Sequence, residues 1–202
     1  MTALALLDYG AGNLTSVRKG LAAAGAALIE TRAPDALASA DGIVVPGVGH
    51  FSATSTIDRQ WRDAIAARVA AGTPLLGICL GMQWLFEDSD EAPGLRGLGV
   101  IRGTVSRMRG DEVKIPHVGW NSLHLRAPSR LLDGLADGTQ VYFTHSFAAP
   151  VTGDAVAACT HGEPFAAAVE SGAIFGVQFH PEKSAEAGLR ILRNFVACCR
   201  NA

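Results

Sequence analysis

The chain has 202 residues, 49% of them hydrophobic, with 23 glycines and a formal net charge of −2 from 17 basic and 19 acidic side chains. That composition excludes a disordered or fibrous chain and fits one compact core with many turns, at a length still within reach of a single domain. The balanced charge nominates no nucleic-acid partner, and no stretch approaches the ~18–20 apolar residues that a membrane span requires.

Met1 to Leu7 lacks a basic leader and its apolar run breaks at Asp8, so a cytoplasmic location is expected. Leu4 to Asp8 reads as a buried strand, Asn13 to Gly25 as a helix closed by glycine, Ala27 to Thr31 as a second strand and Gly42 to Pro46 as a third. From Thr54 to Gly72 the apolar residues Ile57, Trp61, Ile65 and Val69 recur every fourth position, which predicts one amphipathic helix. Pro74 to Ile78 is a fourth strand, and Leu80 to Phe86 begins another helix with Cys79 alone at the junction.

The second half changes character. Glycines at 94, 97, 99, 103 and 110 punctuate short β-prone pieces, and Gln140 to Phe147, Ala155 to Thr160, Phe165 to Glu170 and Ile174 to Phe179 read as strands. Ser184 to Arg200 is a closing helix with Leu189, Leu192, Val196 and Cys199 on one stripe. The alternation in the first half predicts an α/β fold: a mostly parallel central sheet, helices on both faces, and extra antiparallel strands from the second half. With no linker or repeat, residues 1–202 form one predicted domain, whose site lies at the carboxyl ends of the strands.

The four cysteines, at 79, 159, 198 and 199, make neither a Cys-x-x-Cys pair nor a zinc spacing, so no metal and no cofactor are expected. Cys159, Cys198 and Cys199 read as small apolar fillers. Cys79 differs by context. Gly77-Ile78-Cys79-Leu80-Gly81 takes a strand directly into a helix, the pattern of a nucleophile elbow, and places the thiol at a helix N-terminus where the thiolate is favoured. A buried cysteine between two packing glycines is the alternative.

About a hundred residues on stands Gln178-Phe179-His180-Pro181-Glu182-Lys183. In extended backbone i and i+2 share a side, so Glu182 can orient His180, and His180 can take the proton of Cys79. A strand-end histidine with an ion-paired glutamate is the alternative there. Pro46-Gly47-Val48-Gly49 follows the third strand at the same sheet edge; its glycines let the Gly47–Val48 peptide turn an N–H toward an oxyanion, with Leu80 N–H as second donor. Gln83, one helical turn after Cys79, faces the same cleft.

Gly77 to Gln83 together with His180-Pro181-Glu182 resembles the class I (triad) glutamine amidotransferases. Asp8-Tyr9-Gly10-Ala11-Gly12-Asn13-Leu14, Pro46 to Gly49, Lys114 to Asn121, Tyr142 to Ser146 and His180 to Ser184 resemble, over almost the whole chain, the glutaminase branch that serves imidazole glycerol phosphate synthase in histidine biosynthesis. The resemblance implies glutamine as substrate, attacked by Cys79, with Gly49, Gln83, Glu91, Ser146 and Phe147 holding it. Ser146-Phe147 stands where the family pattern has Thr-Tyr, which removes a hydroxyl at Phe147 and leaves only backbone recognition there. It further implies a cyclase partner, a (β/α)8 barrel that uses the ammonia, contacted by Asn13, Trp120, Asn121, Tyr142 and Lys183. An oxyanion loop that rests with its amide turned away, until partner and acceptor ligand select the active state, is a further expectation. The rival readings are a sibling glutaminase of pyridoxal phosphate or anthranilate synthesis, a non-catalytic partner-binding subunit, and a cysteine peptidase on the same scaffold.

Overall fold

The structure is a computed structural model in which residues 1–110 and 113–200 are described. The strands are β1 (Ala3–Leu7), β2 (Ala27–Thr31), β3 (Gly42–Val45), β4 (Leu75–Ile78), β5 (Asp88–Ser89), β6 (Thr104–Arg107), β7 (His117–Ser122), β8 (His124–Leu125), β9 (Gln140–His145), β10 (Phe147–Ala148), β11 (Ala155–His161), β12 (Glu163–Ser171) and β13 (Ile174–Val177). The α-helices are α1 (Leu14–Ala23), α2 (Arg59–Ala70), α3 (Leu80–Leu85) and α4 (Ala185–Arg200). Among the described residues no helix is long and apolar enough to cross a membrane.

Eight strands form the central sheet in the order β2-β1-β3-β4-β13-β12-β11-β8. The pairs from β2 to β13 are parallel, while β12, β11 and β8 continue the sheet with antiparallel pairing. This is the expected α/β architecture, with its antiparallel extension. β1 illustrates how the sheet is buried on both sides: Leu4 and Leu6 enter one apolar cluster with Val17, Leu21, Ile191 and Phe195, and Ala5 and Leu7 enter another with Trp61, Ile65, Leu80 and Trp84. The period-two alternation of strand side chains sends neighbours to opposite faces, so both faces need helical cover.

Several elements differ from the sequence reading. The helix expected from Thr54 begins only at Arg59, because Asp58 accepts from Trp61 N–H at 3.1 Å as its N-cap, and Phe51–Thr56 is a separate 3-10 turn. Replacing Asp58 with alanine is expected to lower stability by about 1 kcal/mol, seen as a lower thermal midpoint, since the first-turn N–H loses its partner. The strand expected over Gln140 to Phe147 is interrupted at Ser146, where β9, paired with β7, hands over to β10, paired with β6. β13 stops at Val177, two residues before the expected end. Of the β-prone pieces between residues 94 and 110, only Thr104–Arg107 is a strand. In α4 the buried stripe keeps Leu192, Val196 and Cys199 and takes in Ile191 and Phe195, while Leu189, expected in it, is only half-buried. Cys159 and Cys199 are buried as expected, whereas Cys198 is only half-buried.

Candidate active site

β4 and β13 are adjacent and parallel, in a register that sets Ile78 beside Val177. The residues just past the two strand ends therefore meet, although a hundred positions separate them in sequence. The first is Cys79, whose N–H donates to the Val177 carbonyl at 2.8 Å. Its φ of +53° and ψ of −107° lie where a side-chain-bearing residue is strained, and the side chain is 5% exposed. The flanking glycines make this turn possible. A Cβ on Gly81 would stand 1.8 Å from the Val45 carbonyl oxygen, and one on Gly77 would stand 2.6 Å from the carbonyl oxygen of Gly81. α3 can leave β4 that closely only without side chains at both places.

His180 Nδ1 and Glu182 Oε1 are 2.8 Å apart, with both side chains almost wholly buried. The pairing was expected, but its backbone differs: Pro181–Lys183 is a 3-10 turn, not extended chain, and it folds Glu182 back under the ring. Burial alone would lower the His180 pKa, but the Cys79 sulfur and the Glu182 carboxylate outweigh it and push His180 up to about 9. Among the described residues Nε2 of His180 has no nitrogen or oxygen partner, and the Cys79 sulfur lies close enough to act on the ring, so Nε2 can exchange a proton with that thiol. A thiol, an imidazole and a carboxylate in this order can generate a thiolate nucleophile and return its proton to a leaving group.

A cleft of about 330 Å³ opens over Cys79, lined by Val48, Gly49, Leu80, Gln83, Glu91, Ser146 and Phe147 among others. It brings together every residue expected to hold substrate. Two of them are engaged differently from the sequence reading. Both N–H groups of Gln83 are spent inside the protein, on the Phe147 carbonyl at 2.9 Å and on Gln178 Oε1 at 3.1 Å, leaving its amide oxygen for a ligand. The Phe147 carbonyl, which also accepts from His145 Nδ1 at 2.9 Å, has no free lone pair for substrate. Glu91 accepts from Phe51 N–H through Oε2 at 2.7 Å.

Gln178 was missed by the sequence reading. It is fully buried, and its Nε2 donates to Cys79 Sγ at 3.6 Å while its Oε1 accepts from Gln83. Its position two residues before His180, hence on the same side if the chain there is extended, was the available signal.

At the loop after β3, the Leu80 N–H donates to the Gly47 carbonyl at 3.3 Å. The peptide between Gly47 and Val48 thus presents its oxygen to a group that an oxyanion would need. Tyr9 Oη donates to the Pro46 carbonyl at 2.7 Å, and a Cβ on Gly47 would strike that hydroxyl, so this loop is packed as well as flexible in sequence. Gly49 has a φ of +102°.

The residues expected at a partner interface fall into two groups. Trp120 and Tyr142 are cross-strand neighbours in β7 and β9 with ring centroids 6.2 Å apart, and Lys183 Nζ lies 5.7 Å from the Tyr142 ring, so these three form one patch. Trp120 is 53% exposed. Asn13 is exposed but its side chain caps α1, accepting from Ser16 N–H at 3.4 Å, and Asn121 turns inward to His117 and the Thr160 carbonyl. Among the described residues no group of three or more His, Cys, Asp or Glu side chains could hold a metal ion.

A glycine-flanked cysteine elbow on a parallel sheet, facing a His–Glu pair across adjacent strands, defines a class, and the chain belongs to it: the class-I glutamine amidotransferase family, whose family model matches residues 5–199. Within that family the particular relatives are subunits named HisH of imidazole glycerol phosphate synthase. The chain is 50% identical to the one from Gloeobacter violaceus over 200 residues, covering 96% of this chain and 88% of the relative, and 42% identical to that from Methanosarcina acetivorans over 202 residues, covering 98% and 100%. A solved glutamine amidotransferase shares the fold at 21% identity with a TM-score of 0.76, covering 98% of each chain.

Proposed function

We propose that this chain, acting as one cytoplasmic domain, is the glutaminase subunit of imidazole glycerol phosphate synthase, hydrolysing glutamine to glutamate and ammonia for a cyclase partner in histidine biosynthesis. The observation that carries the chemistry is His180 held between the Cys79 sulfur and the Glu182 carboxylate, with Cys79 lining the cleft. The relatives' names support this branch over the pyridoxal phosphate and anthranilate siblings. Four free cysteines suit a reducing compartment.

Cys79 Sγ attacks the side-chain amide carbon of glutamine as its proton passes to His180 Nε2. The tetrahedral intermediate then collapses, its C–N bond breaks, and His180 returns the proton to the departing nitrogen, giving ammonia and a γ-glutamyl thioester. Water, deprotonated by His180, attacks the thioester carbon and releases glutamate and the thiol. Glu182 holds the ring and stabilises its charged form, while Gln178 donates to the sulfur. Glu91 suits the substrate's α-ammonium, the Gln83 oxygen accepts from a substrate N–H, and Gly49, Ser146 and Phe147 complete the walls of the cleft. Ammonia leaves toward the cyclase, docked on Trp120, Tyr142 and Lys183, with Asn13 and Asn121 at or near the edge.

The oxyanion needs the N–H groups of Val48 and Leu80, yet Leu80 is bonded to the Gly47 carbonyl. We read this as the resting state of the loop: rotation of the Gly47–Val48 peptide frees Leu80 and supplies the second donor. A missing oxyanion donor costs roughly 10²–10³-fold in rate. A glutaminase assay of the chain alone should therefore give slow turnover that rises at least a hundredfold with the cyclase and its ligand. Full activity in the isolated chain overturns the resting-state reading, and no hydrolysis with the cyclase present overturns the function.

A further inference from the structure

One wall of the cleft is held by two buried histidines that the hydrolysis does not use. The Phe147 carbonyl accepts from His145 Nδ1, and His145 Nε2 lies 3.1 Å from His117 Nδ1. His117 Nε2 in turn lies 3.3 Å from Asn121 Nδ2. The orientation of the Asn121 amide is fixed independently, because its Oδ1 accepts from Ser122 N–H at 2.8 Å and its Nδ2 donates to the Thr160 carbonyl at 3.0 Å.

These partners leave one consistent placement of the protons. Asn121 Nδ2 carries only hydrogens, so His117 Nε2 must accept, and a neutral imidazole that accepts at Nε2 donates at Nδ1. His145 Nε2 then accepts, and its Nδ1 donates, as the Phe147 carbonyl requires. The chain of hydrogen bonds runs in one direction through two neutral rings. Burial favours the neutral forms, pushing His117 down to about 4 with help from His161, and His145 down to about 3 with help from His117, His161 and His180 against the opposing bond to Phe147. His117 is also fixed by stacking, with centroids 4.7 Å from Phe143 and 4.0 Å from His161.

We propose that His117 and His145 are positioning residues of the glutamine site: the one-way chain from Asn121 through both rings clamps the Phe147 carbonyl and so holds the Ser146–Phe147 backbone against the cleft. This rests on the glutaminase reading for its substrate, but the proton arrangement stands without it. With Gln83 and His145 occupying both lone pairs of that carbonyl, the peptide has one stable orientation. Loss of His145 frees it, and the effect falls on substrate affinity rather than on the chemistry at Cys79.

The test begins with imidazole ¹⁵N spectra of the full chain near pH 7. His117 and His145 should both be neutral Nδ1–H tautomers; an Nε2–H or doubly protonated form of either overturns the chain. Asn121→Asp replaces a donor with an acceptor, so His117 Nε2 should gain a proton, and an unchanged His117 spectrum overturns the assignment. In the complex with the cyclase, His145→Phe should raise the glutamine KM about tenfold, the worth of one buried hydrogen bond, with a smaller change in kcat. A fall in kcat at unchanged KM overturns the positioning role. If His145→Phe does not fold, the wild-type and Asn121→Asp spectra still decide. A wild-type complex without glutaminase activity but with both Nδ1–H tautomers would sink the function and spare the hydrogen-bond chain.

Discussion

Replacing Cys79 with alanine should abolish glutamine hydrolysis, lowering kcat by roughly 10⁴-fold or more, because no other group in the cleft can form the thioester. The fold should survive. Alanine keeps the Cβ and so the same backbone constraint at φ +53°, while Gly77 and Gly81 still let α3 leave β4 at the same angle. Loss of one buried sulfur costs about 1 kcal/mol, or roughly 2–4 °C in Tm for a chain of this size. Steady-state glutaminase kinetics with the cyclase present, beside a thermal melt, separate the two effects. Hydrolysis at the wild-type rate by a folded Cys79→Ala protein would remove the nucleophile from the mechanism, and with it the distinction from a non-catalytic binding subunit.

Replacing Glu182 with glutamine should lower kcat by about 10²-fold or more and also change how stability depends on pH. The carboxylate fixes the ring through a 2.8 Å contact that water barely reaches, so the amide removes both orientation and charge stabilisation. The folded-state pKa of His180, about 9, lies above its unfolded value of 6.5, so the folded protein binds this proton more tightly. Its contribution, on the order of 3 kcal/mol, is fully present below pH 6.5 and is lost as pH rises from 6.5 through 9. Without the carboxylate that window should shrink, although the Cys79 contribution remains. Unfolding free energies across pH 6 to 9.5 measure this directly. A Glu182→Gln curve parallel to that of the wild type would show that Glu182 does not set the His180 proton affinity.

The relation between the triad and its surroundings shows where local pattern stops being informative. His180 and Glu182 lie two residues apart, so their pairing was legible, yet the 3-10 turn that joins them is not the extended chain that spacing suggested. Proline at 181 is compatible with either, and burial of the carboxylate beneath the ring decides for the turn. Gln83 was legible as a cleft residue from helical spacing, but its two donors are claimed by Gln178 and Phe147, which lie 95 and 64 positions away. No sequence period encodes such partners. The same holds for Asn121, expected at the partner interface, whose amide is committed to His117 and Thr160.

What the amino-acid sequence determined by itself is the set of local devices. The glycines around Cys79 specify an elbow because only residues without Cβ permit the approach of α3 to β3 and β4. Alternating apolar strands and amphipathic helices specify a parallel sheet buried on both faces. Only the tertiary structure decided that β13 returns to lie beside β4 in the register that pairs Val177 with Ile78, which sets His180 across from Cys79. It also decided that the Gly47 carbonyl, rather than an N–H, faces Leu80. Sheet register and peptide orientation are settled by long-range hydrogen bonding and packing summed over many residues, so the elbow could be read from five residues while the state of its oxyanion support could not.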